Sequence, residues 1–320
     1  MVVDVENLIN DLDLEVILKG SMNNIIEVSE INRPGLQFAG FYNYFANKRI
    51  QIVGKAEWSF LDTMQPSLRE KRLGKFFEFH NPCTIITRNL EPHIELIENA
   101  RKNDRWVLRT NMLSTKFINK ITNYLVTNLA PETRMHGVLM DVYGVGVLLI
   151  GESGIGKSET ALELIKRGHR LAADDAVDIK EIDGVLHGSA PYITKGMIEV
   201  SGMGIIDVAA LYGLSSMINT KIIHLVVYLE SWKEDANYER LGADQEFIEI
   251  LGVNVNKFTI PIRPGRNLAV IIEAAAANYR YSRSSKTTPA DKIDARIIEE
   301  SKKIGNINNW YIPDEDRNHT

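Results

Sequence analysis

GESGIGKS occupies residues 151–158, with VGVLLI before it at 145–150 and ETALELIKR after it at 159–167. The first run is short, apolar and rich in β-branched side chains, as a buried strand should be, and Leu162 and Ile165 recur at helical spacing. Strand, glycine loop and helix therefore come in the order that a G-x-x-x-x-G-K-[ST] phosphate loop requires. The glycines let the backbone curl so that the N–H groups of Gly151, Glu152, Ser153, Gly154, Ile155, Gly156, Lys157 and Ser158 can face phosphate oxygens at a helix N-terminus. Lys157 is expected to reach the β- and γ-phosphates of a nucleotide, and the Ser158 hydroxyl to ligate Mg²⁺. The plain alternative is a glycine turn ahead of an ordinary helix, and a fully occupied consensus in the right context argues against it.

Working outward, 320 residues are enough for two domains, each with its own core. A composition of 44% hydrophobic and 25% charged residues is that of a soluble globular protein. The net charge of -5 gives no broad basic footprint, so nucleic acid is not an expected partner. No stretch reads as a signal peptide or a membrane span, and a cytoplasmic location without membrane contact is expected. Cys83 is the single cysteine, which leaves no internal disulfide and no cysteine metal cluster. In NPCTIITR it reads as a small buried hydrophobe at the start of a strand.

Up to about residue 130 the pattern mixes strands and helices: LEVILKG, RIQIVG, CTIITR, a helix over residues 92–102, RWVLRT, then the amphipathic STKFINKITNYLVTNLA. Pro131 and the polar APETRMHG stretch mark the connection between domains. The fold class is α/β, with a small N-terminal α/β domain over residues 1–130 and a C-terminal P-loop domain over residues 131–320. In the second half, GVLMDVYG and VGVLLI read as consecutive strands joined at a Tyr-Gly turn, and Gly168 stops the loop helix. HRLAADDAVDI reads as one returning strand. IIHLVVYLE, GVNVNKFTIPIRPGR and a helix NLAVIIEAAAANY capped by Asn267 follow, and the polar tail carries a helix around DARIIEESKK.

Asp174 and Asp175 arrive beside the loop after a single helix. Neighbouring strand side chains point to opposite faces, so one aspartate is expected to hold Mg²⁺ or its water and the other to face an incoming nucleophile. Glu199 is followed by two glycines that flank Met203; a further Mg²⁺ contact and a plain turn explain this equally well. Arg240 and the pair Arg263/Arg266 have the planar guanidinium that clamps phosphates, although such residues are more often surface ion-pair partners. His136 precedes the strand that leads to the loop, and spacing alone does not select it.

Four blocks together resemble one family closely, the bifunctional HPr kinase/phosphorylases of low-GC Gram-positive bacteria and their relatives. They are MHGVLMDVYGVGVLLIGESGIGKSETALELIKRGHRLAADDAV, IEVSGMGIIDVAALYG, YERLG and PIRPGRNLAVIIEAAAANYR, which span most of residues 135–280. The resemblance implies a catalytic domain related to phosphoenolpyruvate carboxykinase and a typical homohexamer. It implies transfer of phosphate from ATP, or from pyrophosphate, to a regulatory serine of the phosphocarrier HPr. It also implies removal of that phosphate by inorganic phosphate to give pyrophosphate, so controlling carbon catabolite repression. Many members respond to fructose 1,6-bisphosphate. By the same resemblance the catalytic positions fall on His136, Lys157, Asp175 and Arg240, with Asp174 beside them, and the Mg²⁺ ligands on Ser158 and Glu199. The segment Ile198, Glu199, Val200, Ser201, Gly202, Met203, Gly204, Ile205, Ile206 and Asp207 is associated with both reactions. Pro261, Ile262, Arg263, Pro264, Gly265 and Arg266 form the segment associated with dephosphorylation. One position departs from the family: Ser201 stands where arginine is usual, which removes a potential phosphate or partner contact. Two other readings remain, a small-molecule kinase of carboxykinase type and a nucleotide-sensing switch without turnover.

Overall fold

The computed structural model describes residues 2–21, 25–232, 246–263, 265–285 and 289–308. It divides into two compact units, Met1–Pro131 and Glu132–Thr320. In the first, a five-stranded sheet has the order Glu15–Leu18, Trp106–Arg109, Cys83–Ile86, Ile50–Val53, Ile31–Asn32. The last four strands run parallel and Glu15–Leu18 antiparallel. Alternating residues feed two cores: Ile50, Ile52, Cys83 and Ile85 pack with Phe117 and Ile121, whereas Val53, Ile86 and Val107 pack with Phe76 and Phe77. Cys83 is fully buried, as its apolar setting suggested, and burial pushes its thiol far up, so it is inert. Three helices of this unit, Val5–Leu12, Lys55–Asp62 and Pro66–Glu78, were not legible in the sequence.

The second unit is built on a six-stranded sheet ordered Arg170–Ala173, Val138–Val142, Val145–Gly151, Leu225–Ser231, Val253–Ile262, Glu246–Ile250. Its three middle-to-late strands, Val145–Gly151, Leu225–Ser231 and Val253–Ile262, are parallel. Val145, Val147 and Leu149 point into a core shared with the helices Lys157–Lys166 and Leu268–Ser285. Leu148 faces the other way and meets Leu139, Val177, Ile179 and Leu186. A four-stranded sheet, Thr220–Ile222, Val185–Ser189, Ala176–Ile182, Glu132–His136, supplies that second layer. The loop-bearing strand is thus buried on both faces, which is why VGVLLI has no polar alternation.

Two readings of the sequence are corrected here. The polar stretch after Pro131 is no linker beyond that residue: Glu132–His136 is a strand paired with residues 176–180, and it alternates exposed and half-buried positions. An edge strand with no fully buried face has the polarity of a loop. The C-terminal helices are also longer than their apolar pattern, running Leu268–Ser285 and Pro289–Asn308, and Asn267 Oδ1 accepts from the Val270 N–H at 3.3 Å as a cap should.

Gly146 of the central sheet lies against Ile222 of the second sheet. A Cβ added there would land on the backbone carbonyl oxygen of Ile222, which no rotamer change relieves. Gly146→Ala is expected to destabilise the protein by about 3 kcal/mol, read as a lower urea midpoint.

Candidate active site

The loop leaves the sheet at Gly151 and enters the helix at Gly156. Gly151, Gly154 and Gly156 have φ of 151°, 76° and 96°, values that side-chain-bearing residues avoid. At Gly151 a Cβ would also strike the Leu229 carbonyl of the neighbouring parallel strand. Thr160 Oγ1 donates to the Gly156 carbonyl at 2.7 Å and pins the first helical turn. Lys157 is buried and folds across the loop, its Nζ donating to the carbonyls of Gly151 at 2.9 Å and Glu152 at 2.8 Å. Burial holds its ammonium below the ordinary lysine range, while Asp174, Asp175 and Glu159 pull it back up.

The returning segment HRLAADDAVDI is two strands rather than one. Arg170–Ala173 pairs with Val138–Val142 in the central sheet, whereas Ala176–Ile182 pairs with Glu132–His136 in the second sheet. Asp174 and Asp175 form the corner, closed by Ala176 N–H donating to the Asp174 carbonyl at 2.8 Å, with Asp175 at a φ of 64°. The change of sheet, and not strand alternation, is what separates the two carboxylates. Asp174 is 2% exposed and accepts from Ser158 Oγ and from the Glu199 N–H, both at 2.9 Å. Burial pushes its carboxyl above the usual range, and these two hydrogen bonds only partly offset that. Asp175, with its side chain 61% exposed, sits 3.1 Å from His136 Nδ1. The pairing follows from register, because His136 lies opposite Ala176.

Glu199 sits on the hairpin of Met197–Val200 and Gly204–Asp207. Ile198, Val200 and Ile206 anchor it in the core, Met203 and Ile205 are exposed, and Asp207 caps the helix Val208–Tyr212 by accepting from the Ala210 N–H at 2.9 Å. At the hairpin tip the Ser201 N–H donates to Glu159 Oε1 at 3.3 Å. Glu159 is the residue that sequence reasoning missed. Burial raises its carboxyl, but hydrogen bonds from its own N–H and from Ser201, with Lys157 nearby, hold it below the ordinary glutamate range. The available signal was an acid in the first helical turn, directly after the loop.

These elements enclose a cleft of about 150 Å³ lined by His136, Ser153, Lys157, Asp174, Asp175 and Glu199, together with Ser158, Glu159 and Ser201. That is small against the roughly 300–1,000 Å³ of whole-ligand pockets, and suits a phosphate group rather than a base. Its lining includes the side-chain oxygens of Ser158, Glu159, Asp174, Asp175 and Glu199, donors of a type that suits a hard divalent cation. Among the described residues no group of three or more His, Cys, Asp or Glu could hold an ion alone. A cation here would share its shell with phosphate oxygens and water, as Mg²⁺ prefers. The remaining sequence candidates lie elsewhere. The Arg263 guanidinium stacks 3.0 Å from the Trp232 ring centroid, and Arg266 Nη1 donates to the Pro261 carbonyl at 3.4 Å; neither lines the cleft. Arg240 and Pro264 fall outside the described residues.

Comparison with known proteins relates the chain to one family. The model of the HPr Serine kinase C-terminal domain matches residues 127–297, and that of the HPr Serine kinase N terminus matches residues 3–125. An HPr kinase/phosphorylase from Clostridium kluyveri is 70% identical over 305 residues, covering 95% of this chain and 99% of that protein. One from Clostridium novyi is 66% identical over 297 residues, covering 93% and 97%. A solved HPr(Ser) kinase/phosphatase from Coxiella burnetii is 38% identical and covers 48% of this chain and 94% of that chain, with a TM-score of 0.45. Among the described residues no helix is long and apolar enough to cross a membrane. With both family models matched in order and such relatives along nearly its whole length, the chain belongs to the HPr kinase/phosphorylase family.

Proposed function

We propose that this chain phosphorylates a serine of HPr with ATP or pyrophosphate and, in reverse, removes that phosphate with inorganic phosphate to give pyrophosphate. The observation that carries the reading is the placement of Asp175. It is an exposed carboxylate paired with His136 in a cleft that the phosphate loop also lines. In the forward direction the serine Oγ attacks the γ-phosphorus, the bond to the β-phosphate oxygen breaks, and Asp175 takes the hydroxyl proton. In reverse, an oxygen of inorganic phosphate attacks the phosphoserine phosphorus, the bond to the serine Oγ breaks, and protonated Asp175 donates to that oxygen. Lys157 holds the phosphate chain in both directions, and Arg240 stabilises the charge that spreads over the transferred group.

Mg²⁺, held by Ser158 and Glu199 with Asp174 beneath, would neutralise phosphate charge in the cleft. Asp174 is then a positioning residue: its two oxygens hold the Ser158 hydroxyl and the Glu199 backbone. Asp174→Ala is expected to raise the Mg²⁺ concentration giving half-maximal rate about 10- to 100-fold, read by titrating Mg²⁺ at saturating ATP. The hairpin residues 198–207 serve both reactions and residues 261–266 serve dephosphorylation. By family resemblance the working form is a cytoplasmic homohexamer that answers to fructose 1,6-bisphosphate, with catalysis in residues 131–320.

The purified chain incubated with HPr and γ-labelled ATP should move label to a seryl group of HPr. Addition of phosphate should then release labelled pyrophosphate. Label recovered in a metabolite instead would favour a small-molecule kinase, and binding without transfer would favour a sensor. Because one carboxyl serves as base forward and acid in reverse, phosphorolysis should have its optimum at lower pH than phosphorylation. Superimposable pH profiles of the two initial rates would exclude the shared acid.

A further inference from the structure

A second cavity opens at the other end of the same sheet. His224 immediately precedes Leu225–Ser231, and Val253 begins Val253–Ile262, so this cavity lies where the parallel strands start, whereas the loop leaves where Val145–Gly151 ends. The two share no lining residue. At about 360 Å³ it is more than twice the volume of the loop cleft and within the range of small-molecule sites.

Its chemistry is the reverse of the loop cleft's. Four carboxylates, those of Glu159, Asp174, Asp175 and Glu199, line the cleft, but no acidic side chain lines this cavity. Val185, Ile223 and Val255 form an apolar wall, and His224, Tyr279 and Arg283 bring the ionisable groups. The Gly146 N–H donates to His224 Nδ1 at 3.0 Å, so a neutral imidazole carries its hydrogen on Nε2 and is a donor there. Burial, with the positive charges of Lys221 and Arg283, holds His224 below its ordinary range and keeps it neutral near pH 7. Arg283 Nη1 donates to Tyr279 Oη at 3.2 Å, which uses one of five guanidinium N–H donors and fixes the planar group at the cavity.

We propose that this cavity is a second binding site, for a small organic anion whose apolar body rests on Val185, Ile223 and Val255 and whose anionic head meets Arg283 and His224. An anion in the loop cleft meets four carboxylates beside Lys157, whereas one in this cavity meets none.

Phenyl phosphate, titrated into the full-length protein in excess EDTA and followed through isoleucine δ1-methyl NMR signals, tests the proposal. Saturable shifts of Ile222 and Ile223 are expected without divalent cation, and equally in Lys157→Ala, where the loop has lost its cation. Arg283→Gln should weaken the binding about tenfold, the size of one charge-assisted contact of about 1.4 kcal/mol. Val255→Trp, which fills the cavity, should abolish it. Absence of saturable shifts overturns the site, as do shifts that survive both variants. Because Arg283 is exposed, its variant tests the site even if Val255→Trp fails to fold. Equal shifts from inorganic phosphate alone would overturn the organic body.

Discussion

Asp175→Asn is expected to lower both phosphorylation of HPr and its phosphorolysis by about 10³-fold, the middle of the range for a lost general acid or base. The amide keeps the shape of the carboxylate but neither accepts the serine proton nor returns one. Asparagine is also suited to this backbone: Asp175 sits at a φ of 64°, a left-handed conformation that asparagine tolerates and β-branched residues do not. Stability should change by no more than about 1 kcal/mol, since the His136 pair is solvent-exposed and such pairs contribute little. ATP affinity should stay within a few-fold, because the loop's own hydrogen bonds do not involve this side chain. Rates of the two directions, an equilibrium binding measurement and a thermal melt together distinguish a lost proton acceptor from a damaged site. Near-normal transfer to HPr in Asp175→Asn would move the base to Asp174 or His136.

Lys157→Ala should abolish useful turnover in both directions, a fall of about 10²- to 10³-fold or more, and unlike Asp175→Asn it should also weaken ATP binding. The reason lies in the preorganised geometry. The buried ammonium is held across the loop by the carbonyls of Gly151 and Glu152, which leaves one N–H of three for an incoming phosphate. The free protein should lose little stability, because removing a buried cation also removes the cost of burying it, which offsets two lost hydrogen bonds. The check is a parallel measurement of ATP binding, HPr phosphorylation and thermal midpoint; full ATP affinity in the variant would show that the lysine does not contact the phosphates.

Much of the candidate site was legible because its signals are local. GESGIGKS specifies where the backbone must take positive φ and where a helix must begin, and those are properties of consecutive residues. The apolar run before it announced a buried strand. The helix Leu268–Ser285 showed in its alanine-rich pattern and its Asn267 cap. Glu132–His136, by contrast, was hidden by its half-solvated position at a sheet edge. Glu159 was hidden because an acid in a first helical turn is common, and its bond to Ser201 joins residues 42 apart in the chain. Arg263 was a phosphate-clamp candidate by residue type, but it lies on Trp232 and away from the loop cleft.

The sequence by itself determined the phosphate loop, the α/β class, the break near Pro131 and, through its four blocks, the family. Which aspartate is buried and which is exposed was decided only by tertiary structure. Asp174 and Asp175 are neighbours in the chain, but the corner between two sheets buries one under Ser158 and Glu199 and leaves the other in solvent beside His136. That separation depends on the register of Ala176–Ile182 against Glu132–His136 and of Arg170–Ala173 against Val138–Val142. Register is set by which faces find a core to bury against, and no short window of sequence contains both partners.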